Sequence, residues 1–539
     1  MRLETGLDLD LADLARLQQC TEGWAAGLQL AALALANRED RKAFIRSFSG
    51  SSRNIADYLA EQVLSQQPDE VRDFLLKTSI LDRLSGPLCD ALTGRTDGYE
   101  MLAYLERANL FLAPLDDERC WYRYHNLFAQ FLCSRLERHD RGQIATLHRS
   151  AAEWFSESGE LVEAVEHALA AGDPSRAAGF MARCARSLFL LGQVSTIMKW
   201  AELLPAAALD SHPELLVVYA WALAVRHRTD EASAVLDQIL AKGINSLDPV
   251  VQDEVRALQP IPPIFADRIE ESHKLAAENL PKISRRNTFG YGPLASVLGF
   301  CLISSGEFDE ADRVLHSGWT REGIGDSVGR VYSECLRGRL RLIQGRLQEA
   351  LSLYRFTLAE AKESFPPRSW ARAIMAGFLA EALYELDELD EAEEALSDLL
   401  PVIREHHPVE PIAIFYQTSA RIQAARGRYD EAVRILEEAE TLDRTTTSSR
   451  LAATMRLAKI RLVLQRGDAG AAHRMAQHFD DSEIWRNYAG RVMPANTPET
   501  PEVGRLRLAI RTGQAAEALP LLRAELEKAE AARRFREAL

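Results

Sequence analysis

The chain is 539 residues long, with 47% hydrophobic and 27% charged residues, which is too long for one hydrophobic core unless part of it is an open-ended array of repeats. Its formal net charge of −15, with no dense run of Lys and Arg, excludes the clustered cations that bind phosphate polymers, so neither nucleic acid nor a membrane surface is an expected partner of this chain. Seven cysteines without a Cys-x-x-Cys pair exclude a disulfide framework and a zinc site, and imply reduced thiols in the cytoplasm.

In chain order, residues 22–36 read as a helix that is apolar nearly all round and therefore needs neighbours on several sides. The longest apolar runs, near Gly27–Ala36 and Leu215–Val225, fall short of the ~18 residues a membrane span requires. Two helices are expected next, Ile55–Leu64 and Pro68–Lys77, the second with Pro68 in its first turn and acids behind it. A third covers Tyr99–Ala108. Leu110–Leu115 and Cys120–Tyr124 then alternate as strands around the turn Asp116–Arg119, and a helix follows from His125 to about Arg138. Three helices and a hairpin make a winged helix. The aromatics Trp121, Tyr122 and Tyr124 are expected to alternate between its core and an outer packing face.

From about Ser211 the sequence repeats. Gly306-Glu-Phe-Asp-Glu-Ala311, Gly345-Arg-Leu-Gln-Glu-Ala350, Asp387-Glu-Leu-Asp-Glu-Ala392, Gly427-Arg-Tyr-Asp-Glu-Ala432, Gly467-Asp-Ala-Gly-Ala-Ala472 and Gly513-Gln-Ala-Ala-Glu-Ala518 share one pattern at a period near 40 residues. The glycine ends one helix in a left-handed conformation, and the alanine opens the next where the two approach closely. Seven residues before the turn, Gly299, Gly338, Ala380 and Ala420 are also small. Glu231-Ala232 and Glu270-Glu271 continue the spacing without the turn glycine. A single such hairpin cannot bury its apolar stripe, so neighbours must stack into a superhelix with a concave groove.

Gly-x-aromatic-x-x-Ala between two helices resembles the tetratricopeptide (TPR) hairpin, at a longer period than that family's. Thr21–Leu30, Phe74–Leu81, Pro114–Glu118, Trp121–Phe128 and Ala164–Leu169 are similar to the MalT-like ATP-dependent LuxR-family transcription activators, over residues 1 to about 205 and more loosely to Leu539. The resemblance implies a nucleotide switch, a winged helix, a superhelical sensor and a DNA-binding helix-turn-helix. This sequence carries no Gly-x-x-x-x-Gly-Lys-Ser/Thr and no helix-turn-helix after Arg533, so a middle fragment of such a regulator is expected. ATP or ADP would then be needed only with the missing module.

The resemblance also singles out His125, which corresponds to a winged-helix histidine touching bound diphosphate in related switch ATPases. A histidine that caps or packs at a strand-to-helix junction is the alternative. Glu405-His406-His407 resembles a metal cluster by composition only, because adjacent histidines point apart. No nucleophile elbow or phosphate loop is present, so no enzyme is expected.

The expected fold is mostly α, with a winged-helix domain followed by a TPR-like α-helical hairpin solenoid. The division is residues 1–40 as a remnant of lid helices, 41–139 as the winged helix, 140–210 as a helical connector and 211–539 as the superhelix. The expected function is sensing an inducer or regulatory protein through the repeats and coupling this to a nucleotide switch. A stand-alone TPR-type adaptor for proteins or peptides is the alternative.

Overall fold

The computed structural model describes residues 11–22, 24, 28, 31, 35, 45, 59, 63–139, 141–316, 328–405, 409–442, 449–478, 481–496 and 499–538. The chain divides into two compact units, Met1–Cys184 and Ala185–Leu539. Among the described residues no helix is long and apolar enough to cross a membrane.

The first unit contains α1 (Leu11–Thr21), α2 (Asp69–Thr78), α3 (Gly86–Thr93), α4 (Gly98–Arg107), β1 (Leu112–Pro114), β2 (Tyr122–Tyr124), α5 (Asn126–His139), α6 (Arg141–Glu157) and α7 (Leu161–Ala170). The winged helix is present; between α2 and α4 it contains α3, which the sequence reading passed over, while the expected helix Ile55–Leu64 lies mostly outside the described residues. Ser85 caps α3 through Leu88 N–H, and Pro87 lies in its first turn, start signals hidden by the shortness of its apolar run. Pro68 proves to be the residue before α2. The strands are shorter than expected and pair antiparallel, Leu112 opposite Tyr124. An isolated bridge from Leu84 to Tyr122 adds a third strand position, completing the winged-helix order of helix, bridge, two helices and hairpin. Tyr122 and Tyr124 are buried, and Trp121 lies under the Arg83 guanidinium, 4.3 Å from its ring centre.

Helical hairpins begin before Ser211. Helices α6 and α7 are joined at Gly159-Glu-Leu-Val-Glu-Ala164, the same pattern as the later repeats, with Gly159 left-handed at φ 82° and Ala164 fully buried. Here His148 and His167 face each other, Nδ1 to Nδ1 at 2.8 Å, and His167 stacks on Phe155. Burial, reinforced by His148, pushes His167 down to about 4. Between about pH 6.5 and 4 the unfolded chain therefore takes up a proton that the folded hairpin refuses, so stability is full above that window and falls as pH drops through it. The expected loss is of the order of 2 kcal/mol, read as amide exchange in Arg141–Ala170. In His167→Gln this pH dependence should flatten, and an unchanged slope would assign it elsewhere.

In the second unit the array runs as pairs of a first and a second helix: Pro213–Val225 with Thr229–Ala241, Thr288–Ser304 with Phe308–His316, Val328–Ile343 with Leu347–Ser364, Trp370–Tyr384 with Leu389–Leu396, Val409–Ala425 with Tyr429–Leu442, Arg450–Gln465 with Ala469–His478, and Pro501–Arg511 with Ala515–Ala531. Between the first two pairs, Pro249–Leu258 and Ile261–Phe265 precede Ile269–Asn279. First helices such as Trp370–Tyr384 are buried on nearly every side because each packs on the first helices before and after it. Second helices such as Tyr429–Leu442 bury only one stripe, Ala432, Leu436 and Ala439, as an outer layer must.

The turn residue is left-handed at Gly306, Gly345, Gly427, Gly467 and Gly513, and His227, Asp267 and Asp387 hold the same conformation where glycine is missing. Five residues on, Ala232, Ser272, Ala311, Ala350, Ala392, Ala432, Ala472 and Ala518 are all buried. The small residues of the first helices meet the second helices directly. A Cβ on Gly338 would overlap the Tyr354 ring, and one on Gly299 would overlap Leu315. Gly338→Ala is therefore expected to cost about 1–3 kcal/mol in urea unfolding. Tyr354→Leu in the same chain should recover part of that, and no recovery would place the strain elsewhere.

Candidate ligand-binding face of the repeat unit

Because the turns and crossings repeat, equivalent positions of successive first helices fall on one face. Six residues before the turns at Gly345, Asp387, Gly427, Gly467 and Gly513 stand Arg339, Glu381, Arg421, Arg461 and Arg507, one residue beyond the small position noted above. This ladder of four arginines and one glutamate is the feature that reading the turns alone missed. Its signal was in the aligned repeats, in the residues flanking the packing glycines and alanines.

Charged partners hold the ladder. Arg339 is fully buried and donates to Glu381 and to the carbonyl of Pro494. Arg536, on the short helix Phe535–Ala538, donates to Glu381 at 2.9 Å and to Glu385 at 2.7 Å. Arg421 reaches Glu385 at 2.7 Å and lies 4.1 Å from the Tyr384 ring centre. Glu499, itself buried, accepts from Arg507 at 3.0 and 2.9 Å and pairs with Arg461 at 3.3 Å. Burial pushes the Glu381 carboxyl up, but Arg339, Arg536 and Arg421 together hold it below the ordinary glutamate value. Burial likewise opposes Glu385, yet Arg421 and Arg536 bring it down to about 2.

The stack also holds a piece of its own chain. Val492 N–H donates to the Ser304 carbonyl at 2.9 Å, Ala495 N–H to Glu410 at 2.6 Å, and Gln417 to the Ala495 carbonyl at 3.2 Å. Asn496 bonds Thr454 at 3.3 Å, and Arg491 pairs with Glu270 at 2.7 Å. Arg339, Ser304, Glu410, Gln417 and Thr454 all lie on first helices, so Arg491–Asn496 crosses the layer that the repeats place side by side. A second buried network supports it: Arg450 bridges Glu410 at 2.6 Å and Asp267 at 3.0 Å. These two carboxylates hold the Arg450 guanidinium above its ordinary value although burial works against them.

Between this segment, the ladder and the last hairpin lies a cavity of about 840 Å³, lined by Arg421, Arg461, Arg507 and Arg536 together with Trp485, Tyr488, Met493 and Leu526. That volume lies in the range of small-molecule sites. The repeat-packing residues Gly306, Ala311, Gly345, Ala350, Ala392, Gly427, Ala432, Gly513 and Ala518 lie at the turns and helix crossings, outside this lining.

In the first unit, His125 sits where β2 meets α5. Its Nδ1 accepts Leu127 N–H at 3.3 Å, and its Nε2 lies 2.8 Å from the Thr21 carbonyl, so Nε2 carries the proton and donates. Beside it Arg123 forks onto Glu22 at 2.9 and 2.7 Å, and Trp24 packs edge-on to Phe111. Both ring nitrogens of His125 are thus engaged within the chain. Among the described residues no His, Cys, Asp and Glu group could hold a metal ion. His406 and His407 lie outside the described residues.

Residues 60–144 match the MalT winged helix domain family and residues 253–539 the MalT-like TPR region family. A serine/threonine-protein kinase PknK of Mycobacterium tuberculosis is 34% identical over 477 residues, covering 87% of this chain and 43% of that protein. The HTH-type transcriptional regulator MalT of Yersinia enterocolitica is 28% identical over 444 residues, covering 80% and 49%. The chain thus spans less than half the length of these relatives. A Signal Transduction ATPase with Numerous Domains (STAND) protein with a tetratricopeptide repeat sensor from Pyrococcus horikoshii aligns over 89% of this chain and 72% of that chain, with a TM-score of 0.46 and 14% identity.

Proposed function

The chain belongs to the MalT-like TPR region family, and from that premise we propose that its repeat unit is the sensor portion of a regulator, taking an inducer or a regulatory protein on the first-helix layer. The observation that carries this reading is the cavity of about 840 Å³ bounded by the Arg491–Asn496 segment. Side chains of several hairpins grip this segment's backbone, so a ligand that competes for those side chains or fills the cavity beside it changes how the hairpins are tied together. A ligand shifts such an equilibrium only by binding one arrangement better than the other.

The role proposed is non-catalytic and cytoplasmic, with the nucleotide switch and the DNA-binding output assigned to other parts of a longer regulator. A stand-alone adaptor for polypeptides is the second reading, favoured by the way the backbone of Arg491–Asn496, which ends in the 3-10 turn Pro494–Asn496, is held by side chains of distant hairpins. The test is a thermal-shift screen of metabolite pools on the full chain, followed by hydrogen exchange on every hit. Hits that alter exchange in Arg491–Asn496 and the cavity walls support the sensor reading. A protein partner that displaces the segment while every metabolite pool leaves it unchanged favours the adaptor. Hits whose effects are confined to the first unit overturn both.

A further inference from the structure

The cavity has a chemistry of its own in a chain whose net charge is −15. Seven cationic side chains and three carboxylates line it. Counting against them Glu381 and Glu499 behind the wall and Glu270 at Arg491 still leaves the cations in excess. The surplus is concentrated where it is most costly. Burial pushes the Arg461 guanidinium below its ordinary value, and Arg421 and Arg507 push it the same way against the pull of Glu499. Arg536 offers a buried Nη1 that makes no hydrogen bond among the described residues. The lining also includes the apolar and aromatic side chains Trp485, Tyr488, Met493 and Leu526.

Resting on the reading of this face as a ligand site, we propose that the cavity binds a small amphiphile whose doubly anionic head, a phosphate monoester or a dicarboxylate, docks on Arg461, Arg507 and Arg536 while an apolar body packs on Trp485 and Leu526. Guanidinium forks match the two-oxygen edge of either head group, and desolvated charge-assisted bonds are the strong ones. A doubly anionic head would offset the mutual repulsion of Arg421, Arg461 and Arg507. A ligand seated there touches Met493 and Asn496 as well, so occupancy bears on the Arg491–Asn496 segment and through it on four first helices.

The experiment is a titration of the full chain with 1-naphthyl phosphate, naphthalene-2,6-dicarboxylate, 1-naphthol and inorganic phosphate, by calorimetry at two salt concentrations. Naphthyl phosphate or the dicarboxylate should bind, more weakly at high salt, and the tighter of the two identifies the head group. Naphthol should bind at least about tenfold more weakly. Arg461→Gln, which leaves Glu499 paired with Arg507, should weaken the anionic probes about tenfold and Arg461→Lys less, whereas Arg355→Gln, at a half-exposed arginine paired with Glu391 outside the cavity lining, should not weaken them at all. Thermal unfolding and circular dichroism of each variant separate loss of binding from loss of fold. Equal binding of naphthol and the anionic probes, insensitive to Arg461→Gln, overturns the anion assignment while leaving the face a ligand site. Binding of no probe, alongside hits from the metabolite screen at the same segment, also overturns the assignment alone, whereas failure of both experiments overturns the sensor reading as well.

Discussion

Replacing Arg450 by methionine is expected to cost the repeat unit about 3–5 kcal/mol, the range for breaking a buried ion pair from one side. Arg450 is 2% exposed and stands between Asp267 and Glu410, so its removal leaves the buried Glu410 and the largely buried Asp267 without their shared cation. The effect extends beyond local packing. Asp267 lies 183 residues upstream of Arg450, and Glu410 also accepts Ala495 N–H. Arg450→Met should therefore loosen Arg491–Asn496 before global unfolding, seen as faster amide exchange at Ala495. The measurement is the urea midpoint together with that exchange rate. Adding Glu410→Leu and Asp267→Asn removes the stranded charges and should return at least half of the loss. A loss below about 1 kcal/mol would show that water reaches the site and screens it.

Glu381→Leu is the second large effect, again about 3–5 kcal/mol. The fully buried Arg339 would keep only the Pro494 carbonyl, and Arg536 would keep Glu385. The companion Arg339→Met, Glu381→Leu replaces the pair by apolar side chains of similar length and should lie within about 1–2 kcal/mol of the original chain. If the double variant is no better than the single one, the cost lies in packing rather than in the orphaned guanidinium. The pair also ties Pro494 to the layer, so the double variant should unfold at nearly the original midpoint yet exchange faster at Arg491–Asn496. That split separates stability from the tethering proposed to matter for sensing.

Much of the architecture was legible because it follows from local rules that repeat. A left-handed turn residue and a small residue five positions later are both short-range demands of one hairpin, so Gly345 with Ala350 and Gly427 with Ala432 announce themselves. The same logic reached its limit where another residue does glycine's work. His227 and Asp267 adopt the left-handed conformation, which composition does not reveal. In the winged helix, α3 went unread because eight residues give too little periodicity to stand out. His125 stood out by resemblance, yet its role as placed depends on Thr21 and Leu127, one of them 104 residues away.

The sequence by itself determined the hairpin, its period, the small residues at its crossing and the stacking that exposed apolar stripes demand. Tertiary structure alone decided what occupies the first-helix layer. Whether Arg339, Arg421 and Arg461 point to solvent or pair with Glu381, Glu385 and Glu499 is set by contacts across 36 to 155 residues, and no local pattern encodes those pairings. The return of Arg491–Asn496 across the layer is likewise fixed by hydrogen bonds to side chains of distant repeats. Helix and turn are governed by forces acting within a few residues, whereas the charge in the cavity is a sum over groups that meet only when the stack has formed.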